Sequence, residues 1–70
     1  MSPFREELFL TELAHSGNVA FACVAARTSR RDAFDWRLRH PDFERRWRAA
    51  ESEAREAFEE RLQSATAARN

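Results

Sequence analysis

Seventy residues allow one domain around one small core, and a chain of this size hides only about 60% of the surface its unfolded form exposes. With 13 Ala, 12 Arg, 9 Glu and 5 Leu against one Gly, two Pro, two Val and no Ile, the composition argues against strands and predicts an all-α fold. The formal net charge is zero, no apolar run approaches the ~20 residues of a membrane span, and the N-terminus lacks a secretory h-region, so neither a membrane role nor export is expected.

Ser2 and Pro3 read as an N-cap and a first helical residue, with Glu6 and Glu7 near the positive end of the helix dipole. Phe4, Leu8, Phe9 and Leu13 recur at helical spacing, which predicts a first helix over about residues 3–15, closed by Gly17 in a left-handed C-cap. Asn18 caps a short second helix, about 19–26, whose small residues Ala20, Ala22, Cys23, Ala25 and Ala26 suit an element sandwiched in the core. Arg27-Thr28 makes a turn, and Ser29 caps a third helix over 30–39, which ends at His40 because the residue before a proline disfavours the α conformation. Pro41 opens the longest helix, 41–63, with the apolar line Phe43, Trp47, Ala50, Ala54, Phe58 and Leu62. Three acid-to-base pairs at i,i+4 are expected along it: Asp42–Arg46, Glu44–Arg48 and Glu51–Arg55. Residues 64–70 are expected to fray, leaving 1–63 as a single domain.

The neutral total conceals an uneven distribution. Residues 1–26 carry one Arg against three Glu, residues 27–48 eight Arg against four acids, and residues 49–70 three Arg against five Glu. All twelve basic residues are Arg, which suits bidentate contact with phosphate and guanine, although a GC-rich coding sequence would equally replace Lys by Arg.

Two short helices joined by a tight turn, the second basic at its start, describe a helix-turn-helix. Ala22, Cys23, Ala26, Thr28, Ala33 and Trp36 fall at positions that should face inward, while Ser29, Arg30, Arg31, Phe34, Asp35 and Leu38 should face outward. The expected fold is therefore a small four-helix domain with a homeodomain-like helix-turn-helix core and a long C-terminal helix.

The run from Gly17 to Phe43 resembles the N-terminal DNA-binding module of phage terminase small subunits. Gly17-Asn18-Val19, Ser29, Ala33, Trp36, Pro41, Asp42 and Phe43 match that pattern in order and spacing, and the similarity covers roughly residues 6–58. Where that family usually carries Gly then Val in the turn, this chain has Arg27-Thr28. A non-glycine residue in a left-handed conformation costs on the order of 1 kcal/mol, so a reshaped turn is expected. The resemblance implies double-stranded DNA as partner, with the third helix in the major groove.

The DNA-binding candidates are Ser29, Arg30, Arg31, Phe34, Asp35 and Arg37. One of Arg30 and Arg31 would pair with guanine O6/N7 and the other with a phosphate, while Asn18 and Ser29 would present capped helix N-termini near phosphates. Asp35 would orient Arg31 as its i,i+4 partner or accept from cytosine N4. Phe34 would either meet a thymine methyl or pack on the first helix, and packing is the favoured expectation. Arg37 belongs to a second basic group with Arg39, Arg45, Arg46 and Arg48, where phosphate contact competes with acid–base pairing.

The competing expectation is a helical protein–protein adaptor that keeps the scaffold without binding DNA, which zero net charge and Asp32 and Asp35 favour. Phe58 and Leu62 should fold back over Phe4 and Leu8, or else form the seam of a homodimer through the fourth helix. Catalysis is not expected: His15 and His40 are isolated, and one Gly cannot build a phosphate-binding loop. No metal-ligand spacing appears either, so neither cofactor nor small-molecule substrate is anticipated. The single Cys23 cannot form an internal disulfide, which fits a cytoplasmic protein.

Overall fold

The computed structural model describes residues 1–68, with side chains through residue 65. It consists of α1 (Pro3–Ser16), α2 (Val19–Ala26), α3 (Arg30–Arg39) and α4 (Pro41–Ala68), with no strand among the described residues. The boundaries follow local capping chemistry. The side-chain oxygens of Ser2, Asn18 and Ser29 accept from the backbone N–H groups of Arg5, Phe21 and Asp32 at 3.2, 3.2 and 3.0 Å. Gly17 takes the left-handed conformation, φ 65°, and its N–H bonds Leu13 O at 2.8 Å, ending α1. Extended His40 breaks the chain before Pro41, as expected. At the other end α4 extends to Ala68, past the expected helix end at 63, and residues 69 and 70 of the expected frayed tail lie outside the described residues.

The core is aromatic at its centre and small at its edges. Phe9 of α1 meets Phe43 and Trp47 of α4 at centroid distances of 5.6 and 4.7 Å, and all three rings are buried. Leu10, Leu13, Ala22, Cys23, Ala26, Ala33 and Ala50 complete it. Burying a Phe or Leu side chain is worth about 1.5–3 kcal/mol, so these few residues carry most of the favourable burial.

The helices α1 and α4 run in the same direction. Glu6 and Glu7 face Arg46 near their starts, while a Cβ placed on Gly17 at the end of α1 would lie 3.3 Å from the Ala54 Cβ. This overturns the expected packing of Phe58 and Leu62 on Phe4 and Leu8. Phe58 lies fifteen residues beyond Phe43, about 22 Å along the helix at 1.5 Å per residue, whereas Phe4 and Leu8 sit beside the start of α4. Phe58 accordingly remains 56% exposed, and no described side chain from Arg55 to residue 65 is buried. The far half of α4 projects beyond the body, giving principal extents of 48 × 21 × 18 Å.

A second correction concerns α2, which is not sandwiched. It buries Ala22, Cys23 and Ala26 on one face and leaves Phe21 and Val24 exposed on the other, Val24 at 77%.

Candidate nucleic-acid interface

The junction between α2 and α3 is a three-residue turn, Arg27–Ser29. Arg27 adopts the left-handed conformation, φ 54° and ψ 48°, the one non-glycine residue to do so among those described. Its N–H bonds Val24 O at 3.2 Å, and the Thr28 N–H bonds Cys23 O at 3.0 Å. Together these make the paired bonds of a Schellman motif, with an arginine where glycine is usual. The turn is therefore not reshaped: the arginine accepts the glycine geometry.

Beyond the turn the chain presents α3. Ala33 is fully buried and Trp36 half-buried, with the Trp36 indole N–H donating to Glu6 Oε2 at 2.6 Å and its ring stacked on His40 at 3.9 Å. The opposite side exposes Arg30, Arg31, Phe34, Asp35 and Leu38, as the spacing predicts. Ser29 lies at the head of this surface, its hydroxyl engaged on Asp32 N. Phe34 is 41% exposed and rests its ring on Trp47 of α4, with centroids 5.0 Å apart, rather than on α1.

Ion pairing divides the arginines of residues 27–48 into two sets. Arg37 pairs with Glu44 at 3.4 Å, Arg39 with Asp35 at 3.3 Å, Arg48 with Glu44 at 2.7 Å, Arg45 with Asp42, and Arg46 with Glu7 and Glu6. Among the described residues, no carboxylate pairs with Arg27, Arg30 or Arg31, and all three are exposed. Several expected pairs are thereby corrected. Asp42 takes Arg45 at i,i+3, because Arg46 is drawn to the acids of α1. Asp35 turns along the helix to Arg39 instead of back to Arg31, in the acid-before-base order that the dipole favours. No ion pair joins Glu51 to Arg55.

Arg37, expected in the DNA-contacting set, is half-buried and engaged within the protein. Its guanidinium lies 4.7 Å from the Trp47 ring centroid and its side chain is only 24% exposed. Arg27, a turn residue by position, is exposed and free of ion pairs in the same way as Arg30 and Arg31. A signal for it was available: no acid occurs three or four residues either side of Arg27 or Arg30.

Burial raises the pKa of the Cys23 thiol, and the positive charge of nearby Arg30 opposes that rise. A thiol so held is not poised as a nucleophile. No group of three or more metal-ligating side chains occurs among the described residues, and no helix among them is long and apolar enough to cross a membrane.

The fold and this surface define a small all-α protein of four helices with an exposed arginine cluster at the head of its third helix. No family model, curated protein or solved structure matches the chain.

Proposed function

We propose that the chain is a DNA-binding helix-turn-helix protein of phage type, either terminase small-subunit-like or a small regulator, with α2 and α3 forming the motif and α3 entering the major groove. The observation that carries this reading is the unpaired state of Arg30 and Arg31 at the head of α3. Asp35 pairs with Arg39, and Asp32 in the first turn of α3 forms no ion pair with either of them. A solvated pair of guanidiniums free of ion pairs at the start of a helix is suited to bidentate contact with guanine O6/N7 and to phosphate. Arg31, Phe34, Asp35 and Leu38 share the exposed side and would face the base edges, while Ser29 would lie at the phosphate rim. Its single, buried thiol suits a reducing cytoplasm.

Fluorescence-anisotropy titration of mixed duplex DNA tests this, at about 50 and 200 mM salt where counterion release makes binding strongly salt-dependent. Wild-type protein is expected to bind and to weaken steeply with salt, and the double variant Arg30→Ala/Arg31→Ala is expected not to bind. Equal affinity of the two proteins would sink the assignment.

A second reading, a protein–protein adaptor, is favoured by the outer face of α2, where Phe21 and Val24 leave apolar surface in solvent. The projecting half of α4, with Phe58 exposed, would serve a homodimer. Light scattering after size exclusion separates these: a concentration-independent monomer removes the homodimer.

A further inference from the structure

We infer that Arg27 is a phosphate-anchoring residue of the DNA surface, an inference that rests on the DNA-binding reading above. Its backbone conformation is the one that ends α2 most freely with glycine, since a Cβ is disfavoured at φ 54°. The two capping bonds, to Val24 O and Cys23 O, are made by backbone N–H groups and require nothing of the side chain. The side chain is exposed and its guanidinium makes no ion pair within the described protein, so no ion pair offsets the strained backbone. Strain that the surrounding structure holds without using the side chain points to a use outside the fold.

The position defines that use. Arg27 and Thr28 close α2 through Val24 O and Cys23 O, and Ser29 caps α3 ahead of Arg30, so Arg27 and Arg30 stand on either side of the same short turn. With Arg31 they place three guanidiniums within five residues, none in an ion pair and with Asp32 the one carboxylate beside them, an excess of positive charge that a polyanion relieves. Base edges lie deep in the groove that a recognition helix enters. Arg27 precedes the N-cap and stays outside that helix, at the rim where the phosphates run. Its predicted contact is therefore with the backbone and indifferent to sequence.

The test compares wild type, Arg27→Gly, Arg27→Ala, Arg27→Lys and Arg30→Ala/Arg31→Ala on two duplexes of unrelated sequence between about 50 and 200 mM salt. Arg27→Gly and Arg27→Ala are expected to weaken binding to both duplexes by roughly tenfold, the size of one charge-assisted hydrogen bond. They should also make the slope of log affinity against log salt shallower by about 0.9. Arg27→Lys should keep the wild-type slope, since it keeps the charge. Glycine is at home in this conformation, so thermal melting of Arg27→Gly checks that a loss of affinity is not a loss of fold. Wild-type affinity and slope in Arg27→Gly overturn the inference, as does a loss confined to one duplex, which would make Arg27 a base reader. Those results with the double variant still inactive overturn Arg27 alone. Absence of salt-sensitive binding by wild type overturns the DNA reading and the inference together.

Discussion

The two arginine groups of this chain share a residue type and a short stretch of sequence, yet they have opposite surroundings. Arg37, Arg39, Arg45, Arg46 and Arg48 each pair with a carboxylate, whereas Arg27, Arg30 and Arg31 pair with none among the described residues. Helix direction explains much of the difference. Acids gather in the first turns of α1 and α4, Glu6 in one and Asp42 and Glu44 in the other, where the dipole favours them. Because α1 and α4 run parallel, both acidic starts lie at the same end of the molecule, around the α3–α4 junction. The α2–α3 turn receives less, since α2 contains no charged residue and α3 supplies Asp32 alone at its start, exposed and in no ion pair. A count of arginines therefore says little about a charged surface until the helix N-termini around them are placed.

The sharpest way to break this comparison is to delete charge from each group and read binding and stability together. Arg30→Ala/Arg31→Ala removes two charge-assisted contacts worth about 1.5–3 kcal/mol each, so affinity for duplex DNA should fall by more than about 100-fold. Both side chains are exposed and unpaired, so unfolding free energy should move by no more than about 0.5 kcal/mol. A melt that drops with the affinity would place these arginines in the structural group.

The mirror image is Arg37→Ala. Arg37 stacks over Trp47 and pairs with Glu44, so its removal should cost stability of about 1–2 kcal/mol, from a cation–π contact near 0.5–1 and a partly shielded ion pair of similar size. In a domain of this length that lowers the melting temperature by roughly 4–8 °C for each kcal/mol. Affinity should change by less than about twofold, the scale of a screened distant charge. A large loss of binding at an unchanged melting temperature would return Arg37 to the DNA-contacting set, where its residue type and position first placed it.

What the sequence made legible was the chemistry that acts over three or four residues. Ser2, Gly17, Asn18, Ser29 and Pro41 stand at helix ends because capping is settled by a local hydrogen bond or a fixed φ. Contacts decided by the path of the whole chain were not legible. Asp42–Arg46 satisfies every local rule, yet Arg46 turns to Glu7, 39 residues away, once α1 lies alongside. Phe58 and Leu62 continue a correct apolar stripe, but which helix meets it depends on whether α1 runs with α4 or against it. Of the candidate surface, the exposure of Arg30, Arg31, Phe34 and Asp35 could be read from helical spacing. The engagement of Arg37 within the protein could not, because it depends on Trp47 and Glu44 from another helix.

Backbone strain at the turn gives a smaller and cleaner test of why an arginine stands there. Arg27→Gly and Arg27→Ala lose the same charge and the same side-chain reach, so they should bind DNA alike. They differ in the Cβ that a positive φ penalises, so the glycine variant should be more stable than the alanine variant by about 1 kcal/mol, read from parallel denaturant melts. Equal stability of the two would mean that the left-handed geometry of Arg27 is not held in solution, and the strain argument for its external role would go with it.

Glu44→Gln gives the smallest effect and the one that most directly moves an arginine from one group to the other. Glu44 holds both Arg37 and Arg48 and lies in the first turn of α4. Neutralising it should lower stability by less than about 1 kcal/mol, the sum of two partly exposed ion pairs and a weakened dipole interaction. The freed positive charge should at the same time strengthen DNA binding by roughly twofold at 50 mM salt and by nothing measurable at 200 mM, where screening has shortened its range. Opposite signs in the two readings would show that the acids around the α3–α4 junction neutralise arginines that could otherwise attract DNA. If stability and affinity fell together, Glu44 would be acting by holding α3 in place, and the contrast between the two arginine groups would be one of packing rather than of charge.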